Sequence, residues 1–359
     1  LSGNTPTEGS DVVFTVTLSK QNVTGSAITF DLARSGGTST VTDDHGAVTA
    51  SISVANNQSA GTANVTTVDD ALLELDETLQ GTISNSSNAD VTFVAAGVGT
   101  ATINESGATA TLSANSPTEG ANMTFTVTLS KQNVTGGSLT FNFAKTAGSS
   151  IAADYGTVPT TIVVANTASA GSENITTVDD ALLELDETFE GTITGPVTDV
   201  TIAAGGVATA TINESGATAT LSAVDAVEGA NMVFTVTLSK TNVTGSAVSF
   251  TIAQTGGDPG DFDSFPATIS VADLSAVGTA NAATKIDATV EGNELITATI
   301  TLPTNADVTI AGGGTASANI LANVTEDDNL LQLSLVSAEE AAERRIGLPR
   351  QWLFLDRAA

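Results

Sequence analysis

Cysteine is absent from this chain of 359 residues. That excludes disulfides, thiolate nucleophiles and Cys-based zinc sites. There is one histidine, His45, one Trp and one Tyr, so repeated imidazole–metal or Ser/His chemistry has no side chains to run on. Positive charge is scarce as well: 10 Lys+Arg stand against 40 Asp+Glu, a formal charge of −30. Nucleic-acid binding depends on Lys and Arg meeting phosphate, so that class is excluded. No run of about 18 apolar residues is present, and direct membrane insertion by a helix is not expected. Yet 41% of residues are hydrophobic and only 14% charged, too apolar for an acidic disordered tail. The remainder is rich in Thr, Ser, Gly, Ala, Val and Asn, a mixture suited to short strands and turns.

What is there repeats. Phe-Thr-Val-Thr-Leu-Ser-Lys occurs at Phe14–Lys20, Phe125–Lys131 and Phe234–Lys240, each followed by Asn-Val-Thr-Gly from Asn22, Asn133 and Asn242. A Glu-Gly pair precedes each, at Glu8-Gly9, Glu119-Gly120 and Glu228-Gly229. Thr66–Thr78 is identical to Thr176–Thr188, and Ala101–Ala114 to Ala210–Ala223. The period of about 110 residues is the size of an ordinary domain. The chain divides on this basis into repeat 1 (1–105), repeat 2 (106–214), repeat 3 (215–325) and a C-terminal tail (326–359). Leu1 corresponds to Leu112 of repeat 2, so repeat 1 starts within its first strand, and the expectation is of a piece of something longer.

Within repeat 2 the apolar residues alternate with period two, the mark of half-buried strands. Seven strands are expected, at Ala108–Ser113, Met123–Ser130, Ser138–Phe143, Thr157–Ala165, Glu173–Val178, Thr188–Thr194 and Val200–Ile212, the last broken near Gly205-Gly206. Phe125, Val127 and Leu129 should face the core, and Thr124, Thr126 and Thr128 the outside. The fold class is therefore all-β: three tandem seven-stranded immunoglobulin-like β-sandwiches in a rod, with a short tail.

If consecutive strands run up and down the sandwich, the loops holding Glu119, Asp154 and the 179–187 acids share one pole with the exit from the last strand, Asn213-Glu214. The opposite loops, among them Lys131–Gly136, carry no carboxylate. Such segregation is costly by Coulomb repulsion unless a cation sits among the acids. Five or six convergent carboxylates suit calcium, which takes six to eight oxygens in tolerant geometry, better than magnesium. The acidic loop is no EF-hand, lacking its ligand ladder, central Gly and flanking helices. Only Glu214-Ser215-Gly216 separates one repeat from the next, so an ion there would stiffen the joint.

These residues carry a resemblance. The Glu-Gly pair, the Phe-Thr-Val-Thr-Leu-Ser strand, Asp154-Tyr155, the segment from Val178 to Thr188 and the closing Ala-Thr-Ile make each repeat resemble a Calx-beta domain. That module is named for sodium–calcium exchangers and is also found in integrin β4 and many bacterial surface proteins. The resemblance covers residues 1 to about 323 and implies calcium ligands drawn from these loops. In repeat 1 they fall on Glu8, Asp43 or Asp44, Asp69, Asp70, Glu74, Glu77 and, at the strand exit, Glu105. Repeat 2 offers Glu119, Asp154, Asp179, Asp180, Glu184, Glu187 and Glu214. Repeat 3 offers Glu228, Asp261 or Asp263, Asp287, Glu291 and Glu294. Where the family often ends its last strand with two or three Asp, this chain has Asn104-Glu105, Asn213-Glu214 and Leu321-Ala322; repeat 3 also has Ile286 for the first loop Asp and Asn293 for Asp186. Weaker binding than in the best calcium sensors is implied, weakest in repeat 3.

Catalysis is not expected, because no nucleophile–base pair and no aromatic sugar platform accompanies the acids. His45 reads as an exposed loop residue; Asn-X-Ser/Thr sequons such as Asn64, Asn133 and Asn242 follow from the Thr- and Asn-rich composition and matter only in a eukaryotic source. In the tail, Ser337–Arg345 reads as a short capped helix and Leu348–Leu355 as an apolar stretch, a docking or sorting segment on one reading and, on the favoured one, a mobile or aberrant terminus. The leading expectation is a calcium-stiffened spacer of a secreted, extracellular cell-surface or adhesion protein, with calcium ions, neighbouring repeats and a cell-surface or matrix molecule as partners. A calcium-sensing module of a membrane protein and an ion-independent structural surface component stand as alternatives.

Overall fold

The computed structural model describes residues 1–48, 51–195, 198–286 and 292–322. The chain is all-β, with no α-helix among the described residues, and no helix there is long and apolar enough to cross a membrane. It divides into two compact units, one of Leu1–Val178 with Asp186–Asn213, the other of Asp179–Leu185 with the chain from Glu214 onward.

In the first unit, repeat 2 forms two four-stranded sheets. One runs Ala170–Thr176, Asn122–Leu129, Ala108–Ala114, Val200–Ile202; the other runs Thr161–Val164, Leu139–Ala147, Glu187–Thr194, Val207–Ile212. Phe125 and Val127 are fully buried and Leu129 nearly so, as the alternation requires, and they pack with Phe141, Phe189 and Ile212 in one core. The last strand switches sheets through a 3₁₀ turn, Ala203–Gly206, in which Gly205 and Gly206 take φ of 68°. Left-handed backbone of this kind suits glycine, which explains the break at this pair.

Repeat 1 has the same second sheet, Ser51–Val54, Ile28–Gly36, Glu77–Ser84, Val98–Ile103, over a core of Phe14, Phe30, Leu79 and Ile103. Its first sheet is smaller: Ser2–Gly3, Val12–Thr17 and Ala60–Val65. In the second unit, repeat 3 has sheets centred on Asn231–Asn242 and Glu294–Thr301 around a core of Phe234, Phe250, Ile296 and Leu183.

Leu183 belongs by sequence to the acidic loop of repeat 2, and its counterpart Leu73 likewise joins the core of repeat 2. Leu72–Leu73 lies parallel to Gln132–Asn133, and Leu182–Leu183 parallel to the end of Asn231–Asn242. Each acidic loop thus donates a strand and a leucine to the repeat that follows it.

Candidate metal centre and the lysine that shares it

The site in repeat 1 is assembled by four chain segments arriving at one pole. Glu8 follows a backbone bond from its N–H to Asn104 O, which ties the first loop to the exit of the last strand. Asp44 is buried, and its carboxylate accepts the Thr40 N–H. Asp43 is exposed and bonds the Thr40 and Thr42 hydroxyls. Asp70 caps its own loop by accepting the Leu72 N–H at 2.7 Å. Glu77 opens the strand Glu77–Ser84 and pairs with Ile103. One carboxylate oxygen each from Glu8, Glu74 and Glu77 lies within 4.8 Å of the others.

Three carboxylates this close and this dry resist ionising together. Burial, then the charge of Glu105, pushes Glu8 up to about 7, against the pull of Lys131. Glu77 also rises to about 7, from burial and then from Asp44, Glu74, Glu8 and Glu105. Glu74 rises as well, from burial and then from the charges of Asp44, Asp70 and Glu105. The residues present fit a hard divalent ion: three convergent carboxylate oxygens, with Asp44 and Asp70 close behind.

A cation of the chain's own already enters this pole. Lys131, from the carboxylate-free loop of repeat 2, places Nζ 2.8 Å from Asp69, 2.9 Å from Glu105 and 3.4 Å from Glu8, and donates to Ser106 Oγ at 2.7 Å. Burial alone would lower its pKa, but the bonds to Asp69 and Glu105 raise it overall, and the same contacts hold Asp69 below the usual carboxylate range. Glu105 is wholly engaged: Oε1 takes Lys131 and the Gly107 N–H, and Oε2 takes the Glu74 N–H at 2.8 Å. Sequence reasoning missed Lys131, because its destination depends on the packing of one repeat against the next. The available signal was that each Lys-Gln/Thr-Asn-Val loop falls at the pole facing the preceding acids.

In repeat 2, within the first unit, the Glu119 N–H bonds Asn213 O, Asp154 is buried and accepts the Ile151 N–H, and Glu187 opens the strand Glu187–Thr194. Within the second unit, Asp180 accepts the Leu182 N–H, and Glu214 accepts from Glu184 N–H, Gly216 N–H and Lys240. Lys240 repeats the lysine arrangement, 3.0 Å from Asp179 and 2.9 Å from Glu214, and with Ser215 it holds Asp179 below its ordinary range. In repeat 3, Glu228 bonds Leu321 O through its N–H, Asp261 ends a 3₁₀ turn, Asp263 is exposed and Glu294 opens a strand. Asp287 and Glu291 lie outside the described residues, as does the tail with its expected helix and apolar stretch.

One expectation is corrected. His45 is fully buried, with Nδ1 2.7 Å from Gly46 O. It bridges to Thr67 where Tyr155 bridges to Thr177 and Phe262 pairs with Thr284, so it fills the aromatic place behind the site aspartate. Asn133 and Asn242, both within sequons, are fully buried. Asn133 Nδ2 donates to Gly137 O and Ala165 O while Oδ1 accepts from Thr135, and Asn242 repeats the set, so each pins its loop. Asn64 is exposed.

No family model and no curated protein matches the chain. Among solved structures, CBD12 from CALX1.2 is similar at 12% identity and a TM-score of 0.28, over 58% of this chain and 96% of that one. The I9–I11 tandem from titin is similar at 13% identity and 0.29, over 90% and 97%. The ectodomain of human desmocollin-1 is similar at 9% identity and 0.30, over 90% and 60%.

Proposed function

We propose that the chain is a calcium-stiffened spacer from a secreted cell-surface or adhesion protein, its repeats being Calx-beta-like sandwiches in tandem. The observation that supports it is the trio Glu8, Glu74 and Glu77, three converging carboxylates held next to the joint that Lys131 closes. An ion there would bind Glu74 of the acidic loop whose Leu73 is packed into repeat 2, so bound calcium and a fixed joint would reinforce each other. Glu119 with Glu184 and Glu187 are the sequence counterparts in repeat 2, and the remaining acids of each loop would complete the shell with water. Few carboxylates per ion suit dissociation constants of about 10⁻⁴–10⁻³ M, the range of extracellular modules.

A second reading has its own support: Lys131 and Lys240 already neutralise Asp69, Glu105, Asp179 and Glu214, which favours an ion-independent structural role. Differential scanning calorimetry separates the two. Calcium at millimolar concentration should raise the melting temperature by mass action over chelator. An unchanged melt removes the calcium reading and leaves the lysine-closed spacer.

A further inference from the structure

The ammonium of Lys131 sits in a closed cage of oxygens. Nζ lies 2.8 Å from Asp69 Oδ1, 2.9 Å from Glu105 Oε1, 2.7 Å from Ser106 Oγ and 3.4 Å from Glu8 Oε2. The enclosure is nearly dry, the side chains of Lys131, Glu8 and Glu105 being 10%, 5% and 0% exposed. A lysine brings three N–H donors and a single positive charge. Its donors serve the three near oxygens and leave Glu8 at long range, while its one charge faces three carboxylates. The shortfall shows at Glu8, which is pushed up to about 7 in spite of the lysine beside it.

The cage is held in place by bonds that do not involve the lysine. Glu105 accepts the Glu74 N–H on one oxygen and the Gly107 N–H on the other, and Asp69 Oδ1 accepts from the Ser106 hydroxyl. Three carboxylate oxygens and a hydroxyl therefore converge from three chain segments on a point where a cation already rests. Calcium binds oxygens at about 2.3–2.6 Å with no fixed direction, so a slight contraction and added water would complete its shell there. The other joint repeats the cage within the second unit. Lys240 Nζ lies 3.0 Å from Asp179 Oδ1, 2.9 Å from Glu214 Oε1 and 2.6 Å from Ser215 Oγ.

We propose that Lys131 occupies a divalent-cation subsite of the repeat 1 pole and so limits that pole to one calcium ion, the one assigned to Glu8, Glu74 and Glu77. The ion left in place rests on the calcium reading above; the subsite rests on the contacts of the lysine itself. Lys131 comes from repeat 2, so its ammonium supplies charge and a tether together, which an ion held by the carboxylates of repeat 1 does not. The lysine thus sets how many ions the pole takes and closes the joint without one in the subsite.

Calorimetric titration of calcium into the full chain counts the ions, with Lys131→Ala and the charge-keeping Lys131→Arg beside the wild type. Lys131→Ala should bind one calcium more than the wild type, and Lys131→Arg no more. In chelator Lys131→Ala should melt below the wild type, because buried carboxylates lose their counter-charge, and calcium should raise its melting temperature by more than it raises that of the wild type. Adding Glu105→Gln to Lys131→Ala should raise the melt in chelator and abolish the extra ion. If Lys131→Ala is unfolded in chelator, circular dichroism should show it refolding as calcium is added; a chain that stays unfolded overturns the proposal. An extra ion in Lys131→Ala over a wild type that binds none upholds the subsite and removes the calcium reading of the trio. Equal counts in the two chains overturn the subsite, and where both bind calcium they leave that reading standing.

Discussion

Lys131 leaves its own repeat and puts its ammonium among Asp69, Glu105 and Glu8, where a second acidic trio, Glu8, Glu74 and Glu77, begins. Glu8 belongs to both groups, so the lysine and any bound ion share one carboxylate. Lys131→Met leaves Glu105, whose side chain has no exposure, as an uncompensated charge, and should cost on the order of 3 kcal/mol in denaturant unfolding. The pH dependence follows from Glu8 and Glu77. Their folded pKa values of about 7 lie above the unfolded value of 4.5, so the ion-free fold holds more protons than the unfolded chain in between. Ion-free stability should therefore fall as pH rises from about 4.5 to 7, and melts in chelator should be higher at about pH 5.5 than at about pH 7.5. Calcium must displace those protons, so its stabilising increment should be largest above about pH 7 and shrink below it. The acids themselves are legible in sequence from their segregation to one set of loops. Lys131 is not, since its carboxylate partners are 26 to 123 residues away in another repeat. The burial of His45 is hidden too, because an imidazole there stands in for Tyr155 and Phe262.

Strands in this chain are readable because one face of each sheet is dry. Asn122–Leu129 alternates without exception between Met123, Phe125, Val127 and Leu129 inside and threonines outside, and register cannot slip without exposing all four. The acidic loop is less readable: Leu72-Leu73 looks like a loop between two strands, yet Leu73 is a core residue of the next repeat. Leu73→Ala should cost about 2–5 kcal/mol, and the loss should appear in the unfolding of repeat 2 even though the substitution lies in repeat 1. The edges where the two sheets meet impose another constraint. A Cβ on Gly171 would stand 2.0 Å from Val163 O, and Gly61 and Gly278 face Ser53 O and Ser270 O at the same distance. Consecutive strands cross there with no room for a side chain. Gly171→Ala must push two backbones apart and should lower stability by about 2 kcal/mol or more by thermal melting.

Across the whole chain, a period of about 110 residues makes the same joint twice, through Leu73 with Lys131 and through Leu183 with Lys240. Period and joint position could be read from the duplicated text. That the joint is a swapped leucine and lysine could not, because it is a property of adjacent copies rather than of one. The absence of cysteine gains meaning here: the joints are held by strand pairing, a buried leucine and charge instead of covalent bonds. The proposed function requires the Glu8, Glu74 and Glu77 trio to hold calcium beside such a joint. Isothermal titration of calcium into the full chain, compared with the Glu74→Gln, Glu77→Gln variant, tests it most directly. Calcium should bind saturably at about 10⁻⁴–10⁻³ M and the variant should lose one site, while the ion-free variant melts slightly higher because repulsion is relieved. Identical titrations for the two chains, or no heat of binding in the wild type, would contradict it.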